Sequence, residues 1–211
     1  MKDFKHLKYE TAKPLIEEGD VLLFRSNHWY SFFIKRVSQS LYSHAALASW
    51  HSDNGDKGIL EIIEFHLFSG GATKNLQNMV EQYPKIIDVY RPSPVRYDLE
   101  YCQDNGVLVN EHKYDGKAVT NTMRKLTALP YSLLKIGILA KGYSFGLRLL
   151  NNVKAISDDT LKRSFSYVCS TSVAHSMNAN GYDLVKNLAD GKTKPGDLAS
   201  SSSLNYLFTL E

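Results

Sequence analysis

The sequence predicts an α+β fold, because its strand patterns come first and its helical patterns come later. The strand patterns are short apolar runs at residues 21–25, 43–50, 59–66 and 85–92. The clearest helical patterns lie at residues 116–129 and 169–180. A chain of 211 residues with 43% hydrophobic residues can form one sizeable core, so we expect a single domain over residues 1–211.

The first two elements follow a polar leader. In EEGDVLLFR a Gly-Asp turn precedes an apolar run, which predicts a strand from Val21 to Arg25. Apolar residues at 29, 33, 34, 37 and 41 then recur with the spacing of one helical face. This spacing predicts a helix over residues 29–42.

A β-hairpin and a further strand come next. SHAALASW and ILEIIEFH read as two strands, and the HSDNGDKG segment between them contains the Asn-Gly and Gly signals of a hairpin loop. KIIDVYRP predicts another strand, which ends at Pro92. Residues 93–116 are interpreted as a loop.

The second half is predicted to be largely helical. GKAVTNTMRKLTAL forms the first of these helices, and residues 131–150 form a second that is interrupted by three glycines. A third helix begins at Cys169 and runs to about Asn180, where Asn-Gly is a stop signal. The chain closes with a Pro-Gly-Asp turn and a short apolar segment.

Composition and charge exclude several classes of function. The net charge is +3 and the basic residues are scattered, so we expect no nucleic-acid partner. The segment MKDFKHLKYE lacks the apolar stretch of a secretory signal, which favours a cytoplasmic location. The longest apolar stretch, residues 129–150, contains Lys135, Lys141 and Arg148, so it does not predict a membrane span.

The two cysteines, Cys102 and Cys169, lie in different contexts, so we expect free thiols and no disulfide framework. Cys169 follows a β-like run and opens the predicted helix. The free N–H groups and the dipole of a helix N-terminus stabilise a thiolate, and the same N–H groups can hold the oxyanion of an acyl-transfer reaction. Cys169 is therefore a candidate nucleophile if a base lies nearby, and a buried, unreactive cysteine is the alternative.

His44 is the best-placed base among the seven histidines, because it begins a predicted strand. The alanines two and four residues later share its face, and their small side chains leave room there for a helix to approach. A third group usually orients such a base. Glu61 and Glu64 lie on opposite faces of the neighbouring strand, so only one can serve, and His66 on the Glu64 face is a further candidate.

Several stretches together resemble the circularly permuted branch of the NlpC-type papain-like amidases. They are EEGDVLLFR, YSHAALA followed by EIIEFH, LPYSLL before YVCSTSVAHSM, and KPGDLASSS. Within this branch the YiiX-like and YebB-like proteins, relatives of lecithin retinol acyltransferase, are the most similar group. In ordinary papain-like enzymes the cysteine precedes the histidine, whereas His44 precedes Cys169 in this chain. The resemblance implies a small antiparallel sheet or open barrel packed against helices, with the cysteine at a helix N-terminus.

Carried over by position, the resemblance implies a catalytic triad in which Cys169 is the nucleophile, His44 the base and Glu64 the third residue, while Glu61 stays open. Thr171 stands where the family often has an acid, which puts the substrate contacts in question. The implied reaction is hydrolysis of an amide bond through a thioester acyl-enzyme, with a peptide or an acylated small molecule as substrate. Peptides of cell-wall murein are included, and no cofactor or metal is expected.

Two other functions compete with this one. The first is a lipid acyltransferase or thioesterase of the same fold, in which the basic, glycine-broken segment 131–150 contacts a lipid surface. The second is a binding or structural module that retains the fold without turnover. Reactivity of the Cys169 thiol separates this module from both enzymes.

Overall fold

The protein is described from a computed structural model, which covers residues 5–25, 40–51, 58–66, 70–82, 86–102, 106–127, 169–185, 188, 190 and 193–211. The helix predicted over residues 29–42 lies almost entirely outside these described residues. The predicted helix and lipid contact at residues 131–150 also lie outside them. Among the described residues, no helix is long and apolar enough to cross a membrane.

Seven strands form the main sheet. In chain order they are β1 (His6–Leu7), β2 (Val21–Phe24), β3 (His44–His51), β4 (Ile59–His66), β5 (Gly70–Asn75), β6 (Ile87–Pro92) and β9 (Leu204–Leu210). Their order across the sheet is β1-β9-β6-β2-β3-β4-β5. Neighbouring strands are antiparallel except β1 and β9, which run parallel. The sheet is therefore large and mixed, which corrects the expectation of a small antiparallel one.

A separate two-stranded hairpin lies within the segment that was interpreted from the sequence as a loop. Its strands are β7 (Val95–Cys102) and β8 (Gly106–Lys113), which pair antiparallel from Val95 opposite Lys113 to Cys102 opposite Gly106. The loop prediction for residues 93–116 is wrong, because apolar and charged residues alternate from Val95 to Tyr101 before Asn105-Gly106, and the apolar run VLV follows it. Alternation around an Asn-Gly pair is the ordinary pattern of a β-hairpin.

The described helices are α1 (Tyr9–Ala12), α2 (Leu76–Gln82), α3 (Gly116–Thr127), α4 (residues 169–178) and α5 (Pro195–Ala199). A short 3₁₀ turn, Lys13–Leu15, follows α1. Because successive side chains of a strand face opposite sides, the sheet buries two apolar faces. The Leu22, Ala46 and Ile62 face packs against α1 and α2. The opposite face packs against α3 and α4 and is formed by Leu23, Ala45, Leu47 and Ile63. A large sheet packed against helices confirms the predicted α+β class.

The start of α3 lies directly against the turn before β2. A Cβ atom at Gly116 would lie 1.9 Å from the backbone oxygen of Glu18, so only glycine fits this approach. The Tyr114 hydroxyl donates to the Gly19 carbonyl oxygen at 2.6 Å, and the Glu18 carboxylate accepts hydrogen bonds from Ser49 and Thr120. These contacts join α3 to β2 and β3.

Candidate functional site

The first two predicted site residues come together at one end of the β3–β4 pair. In this register Ala46 lies opposite Glu64, which places His44 and Glu64 on the same face of neighbouring strands. The Nε2 atom of His44 lies 2.7 Å from Glu64 Oε2. The small side chain of Ala46 leaves the carboxylate room to reach the imidazole.

Glu64 is fully buried and accepts hydrogen bonds from three donors. In addition to His44, His66 Nε2 lies 2.8 Å and Lys74 Nζ 2.5 Å from Glu64 Oε1. Burial alone would raise the pKa of Glu64, but the hydrogen bonds from His44 and His66, the charge of His44 and the Lys74 ammonium lower it well below its usual range. Glu64 is therefore a buried carboxylate whose charge is compensated on several sides.

Cys169 is the first described residue of α4, and its side chain is buried. Val173 and Met177, one and two turns further along α4, pack against Ala45 and Leu47 of β3. The thiol shares a hydrogen bond with His44 and lies within reach of the backbone N–H groups of Ala45 and Ser170. Since Glu64 occupies Nε2 of His44, Nδ1 is the nitrogen left for the thiol.

The approach of α4 differs from the expectation. The sequence suggested that a helix would approach over Ala46 and Ala48, on the same face as His44. Instead, α4 packs over Ala45 and Leu47, and Cys169 reaches His44 at the first residue of β3. Strand alternation predicts which residues share a face, but it does not determine which face a distant helix covers.

The electrostatic coupling between Cys169 and His44 favours a charged pair. Burial would raise the pKa of the Cys169 thiol, but the charge of His44, its hydrogen bond and the N–H groups of Ala45 and Ser170 lower it. Burial would also lower the pKa of His44, but the charge and hydrogen bond of Cys169, together with Glu64, raise it to about 10. Both directions favour a thiolate beside an imidazolium.

The other carboxylate considered from the sequence lies elsewhere. Glu61 is opposite Ser49 on β3, and its carboxylate lies 3.1 Å from Arg124 of α3. His66 is part of the site, but it contacts Glu64 and stacks on His44 at 4.9 Å between ring centroids. The structure thus brings together Cys169, His44 and Glu64, with His66 against the carboxylate, and separates Glu61 from them.

Lys74 is a site residue that the sequence analysis missed. It lies on β5, within GGATKN, where two glycines and few β-branched residues give little strand signal. Its side chain is 42% exposed, yet its ammonium group lies against the buried carboxylate of Glu64. The sequence of this segment contains no local pattern that singles out Lys74.

Three side chains at the site can also act as metal ligands. One ligand atom from each of His44, Glu64 and His66 lies within 4.8 Å of the others. Two imidazole nitrogens and a carboxylate oxygen are a ligand set that zinc and ferrous iron both use. No metal was expected from the sequence, since the resemblance to papain-like amidases implies none.

Comparison with known proteins identifies a similar fold. No family model matches the chain, and no curated protein matches it significantly. A solved structure of the metalloprotein YiiX from Escherichia coli O157:H7 aligns with a TM-score of 0.52 and 15% sequence identity, over 92% of this chain and 97% of that chain. The chain therefore has a YiiX-like fold, and at this identity the likeness concerns the fold alone.

Proposed function

We propose that this protein is a cysteine hydrolase of the circularly permuted NlpC-type, papain-like class that cleaves an amide bond. The proposal rests chiefly on one observation. The buried thiol of Cys169 contacts His44, whose second ring nitrogen lies 2.7 Å from the carboxylate of Glu64. A nucleophile, a base and a group that orients the base are the parts that acyl transfer requires.

In this mechanism the Cys169 thiolate attacks the carbonyl carbon of the amide, and the carbonyl oxygen becomes an oxyanion. The Ser170 N–H, which lies near the sulfur, is a donor that can stabilise this oxyanion. The C–N bond then breaks as the His44 imidazolium gives its proton to the leaving amine, which leaves a thioester on Cys169. A water molecule gives a proton to His44 and attacks the thioester, which releases the carboxylic acid and restores the thiolate–imidazolium pair.

The first test measures alkylation of Cys169 by iodoacetamide at about pH 6, where a model thiol with a pKa of about 8.5 is under 1% ionised. A thiolate held by His44 should react on the order of 10-fold faster than glutathione, because the gain in ionised fraction exceeds the loss of nucleophilicity at lower pKa. H44Q should remove this advantage, and C169S shows how much of the signal comes from Cys102. A wild-type rate no higher than that of glutathione would contradict the proposal.

A second candidate function, metal binding at the same site, is favoured by the arrangement of His44, Glu64 and His66. The fold neighbour YiiX is described as a metalloprotein, which supports the same candidate. The donor set fits a divalent zinc or iron ion. Such an ion would replace the Lys74 ammonium as the cation on Glu64, and the 42% exposure of the Lys74 side chain leaves it free to turn towards solvent.

His66 separates the two functions, because the metal needs it and the proposed triad does not. We expect H66A to abolish zinc binding in a chelator-competition titration, while Cys169 still reacts faster than glutathione because His44 and Glu64 keep their own hydrogen bond. H175A is the matched control, since His175 is an exposed residue of α4 that lies 3.4 Å from Asp190 and is not among the three candidate metal ligands. Wild-type protein that binds no zinc, or H66A protein that binds it equally well, would rule out the metal function.

A further inference from the structure

A cavity of about 560 Å³ is lined by residues other than those around Cys169. Hydroxyl groups line one part of it, supplied by Ser93 and by the serines at 200–203. Arg96 and Asp197 contribute the two charges of its wall, and Val95, Leu184 and Val185 contribute apolar surface. Its volume is in the range of pockets that bind small molecules.

Ser93 of the cavity and the Cys169 site lie at opposite ends of the main sheet. Phe24 of β2 pairs with His44 on one side and with Ile87, the first residue of β6, on the other. Ser93 follows directly after Pro92, the last residue of β6. Six residues of strand span about 20 Å, which separates Ser93 from the His44 end of the sheet. Asp197 on α5 lies nearer to Cys169, because the neighbouring Ser170 hydroxyl donates to the Thr193 carbonyl oxygen at 2.6 Å.

Arg96 is held in position beside the cavity. Its guanidinium carbon lies 5.6 Å from the centroid of the Tyr182 ring, in a cation–π arrangement. The Tyr182 hydroxyl in turn donates to the Ser93 carbonyl oxygen at 2.8 Å. The ring is therefore fixed, and it limits the positions that the guanidinium can adopt.

The polar groups of the cavity match an oxyanion. A guanidinium presents N–H donors in the plane of a carboxylate, and hydroxyl groups can donate to the same oxygens. The Ser93 hydroxyl oxygen accepts from Asn205 at 3.1 Å, so its own proton is available to a ligand. Ser200 and Ser202 are exposed at the same wall.

The charges of the wall favour a ligand with one negative charge over a ligand with two. Arg96 supplies one positive charge, while Asp197, whose carboxylate accepts from the Lys194 N–H at 2.8 Å, places a negative charge in the same wall. A dianion would be repelled more strongly by Asp197 than a monoanion. The valines and Leu184 complement an apolar body attached to the charged group.

We propose that this cavity, defined by Arg96, Ser93 and the serines at 200–203, is a binding site for small monocarboxylates that carry an apolar group. The site is independent of the proposed hydrolase, because it uses none of the residues around Cys169. Benzoate is a suitable probe, since it joins one carboxylate to a flat apolar ring.

The test is a calorimetric or NMR titration of the full chain with benzoate. We expect wild-type protein to bind benzoate. R96Q should bind it about 10- to 100-fold more weakly, because the substitution removes the charge-assisted hydrogen bonds of the guanidinium. K113M is the matched control. It removes the same charge from an exposed residue that lies opposite Val95 in the hairpin and outside the cavity, so its affinity should equal that of wild type.

Two further arms make the outcome decisive. Methyl benzoate has the same ring without the charge and should not bind, and inorganic phosphate should bind more weakly than benzoate. S202D keeps Arg96 but adds a negative charge to the exposed wall, so it should weaken benzoate binding. This variant tests the proposal if R96Q does not fold. Absence of benzoate binding, equal binding by S202D, or tighter binding of phosphate would overturn the proposal, whether or not Cys169 proves to be reactive.

Discussion

Replacing Glu64 by glutamine tests whether the buried carboxylate controls the protonation of His44. E64Q keeps the size of the side chain but removes the charge that accepts from His44 at 2.7 Å, from His66 at 2.8 Å and from Lys74 at 2.5 Å. A hydrogen bond to a charged group contributes about 1.5–3 kcal/mol, and about 1.4 kcal/mol corresponds to one pKa unit. The pKa of His44, raised to about 10 in the wild-type protein, should therefore fall to about 8 or 9 in E64Q.

The assay is an NMR pH titration of the histidine ring resonances, with His44 assigned by comparison with H44Q. E61Q is the matched control. It makes the same substitution on the same strand, but Glu61 pairs with Arg124 on the opposite face. A His44 midpoint in E64Q that stays at the wild-type value, or that falls equally in E61Q, would refute the coupling between Glu64 and His44.

Three further predictions concern stability. Because the pKa of His44 is raised in the folded state, His44 should stabilise the fold relative to H44Q fully below about pH 6.5, and this stabilisation should be lost as the pH rises to about 10. Urea unfolding of both proteins across this pH range measures the difference. In the same assay, G116A should lower the free energy of unfolding by about 1–3 kcal/mol, because its Cβ atom would meet Glu18. Gly181 has a positive φ of 76° but no atom within 4 Å of an added Cβ, so G181A should lower it less. Equal losses would contradict the steric argument. M177A should lower the free energy of unfolding by about 2–5 kcal/mol, because Met177 is fully buried between α4 and the sheet. An unchanged urea midpoint would show that this contact does not stabilise the fold.

Local patterns in the sequence were sufficient to predict the strands around the site. The β3–β4 pair follows from two short apolar runs and an Asn-Gly signal between them. The alternation of side chains along a strand separates Glu61 from Glu64, because residues at an odd spacing face opposite sides. The β7–β8 hairpin carried an equally local signal, and its assignment as a loop was an error of interpretation.

The remaining parts of the site depend on contacts between distant segments. The register that places Glu64 opposite Ala46 decides which carboxylate meets His44, and the pairing of Lys74 with Ile62 decides which ammonium group reaches Glu64. Neither register can be read from one strand alone. The face that α4 covers depends on how Val173 and Met177 pack, which is a property of the assembled core.

The position of β9 has a consequence for the folding kinetics. This strand lies between β1 and β6, so its pairs join Leu210 to Leu7 and to Ile87 across separations of about 200 and about 120 residues. Closing such long loops is entropically costly, which favours slow folding, with β9 entering late. Until it enters, the backbone donors and acceptors of β6 form an open edge that can pair with another molecule, so refolding yield should decrease as protein concentration rises.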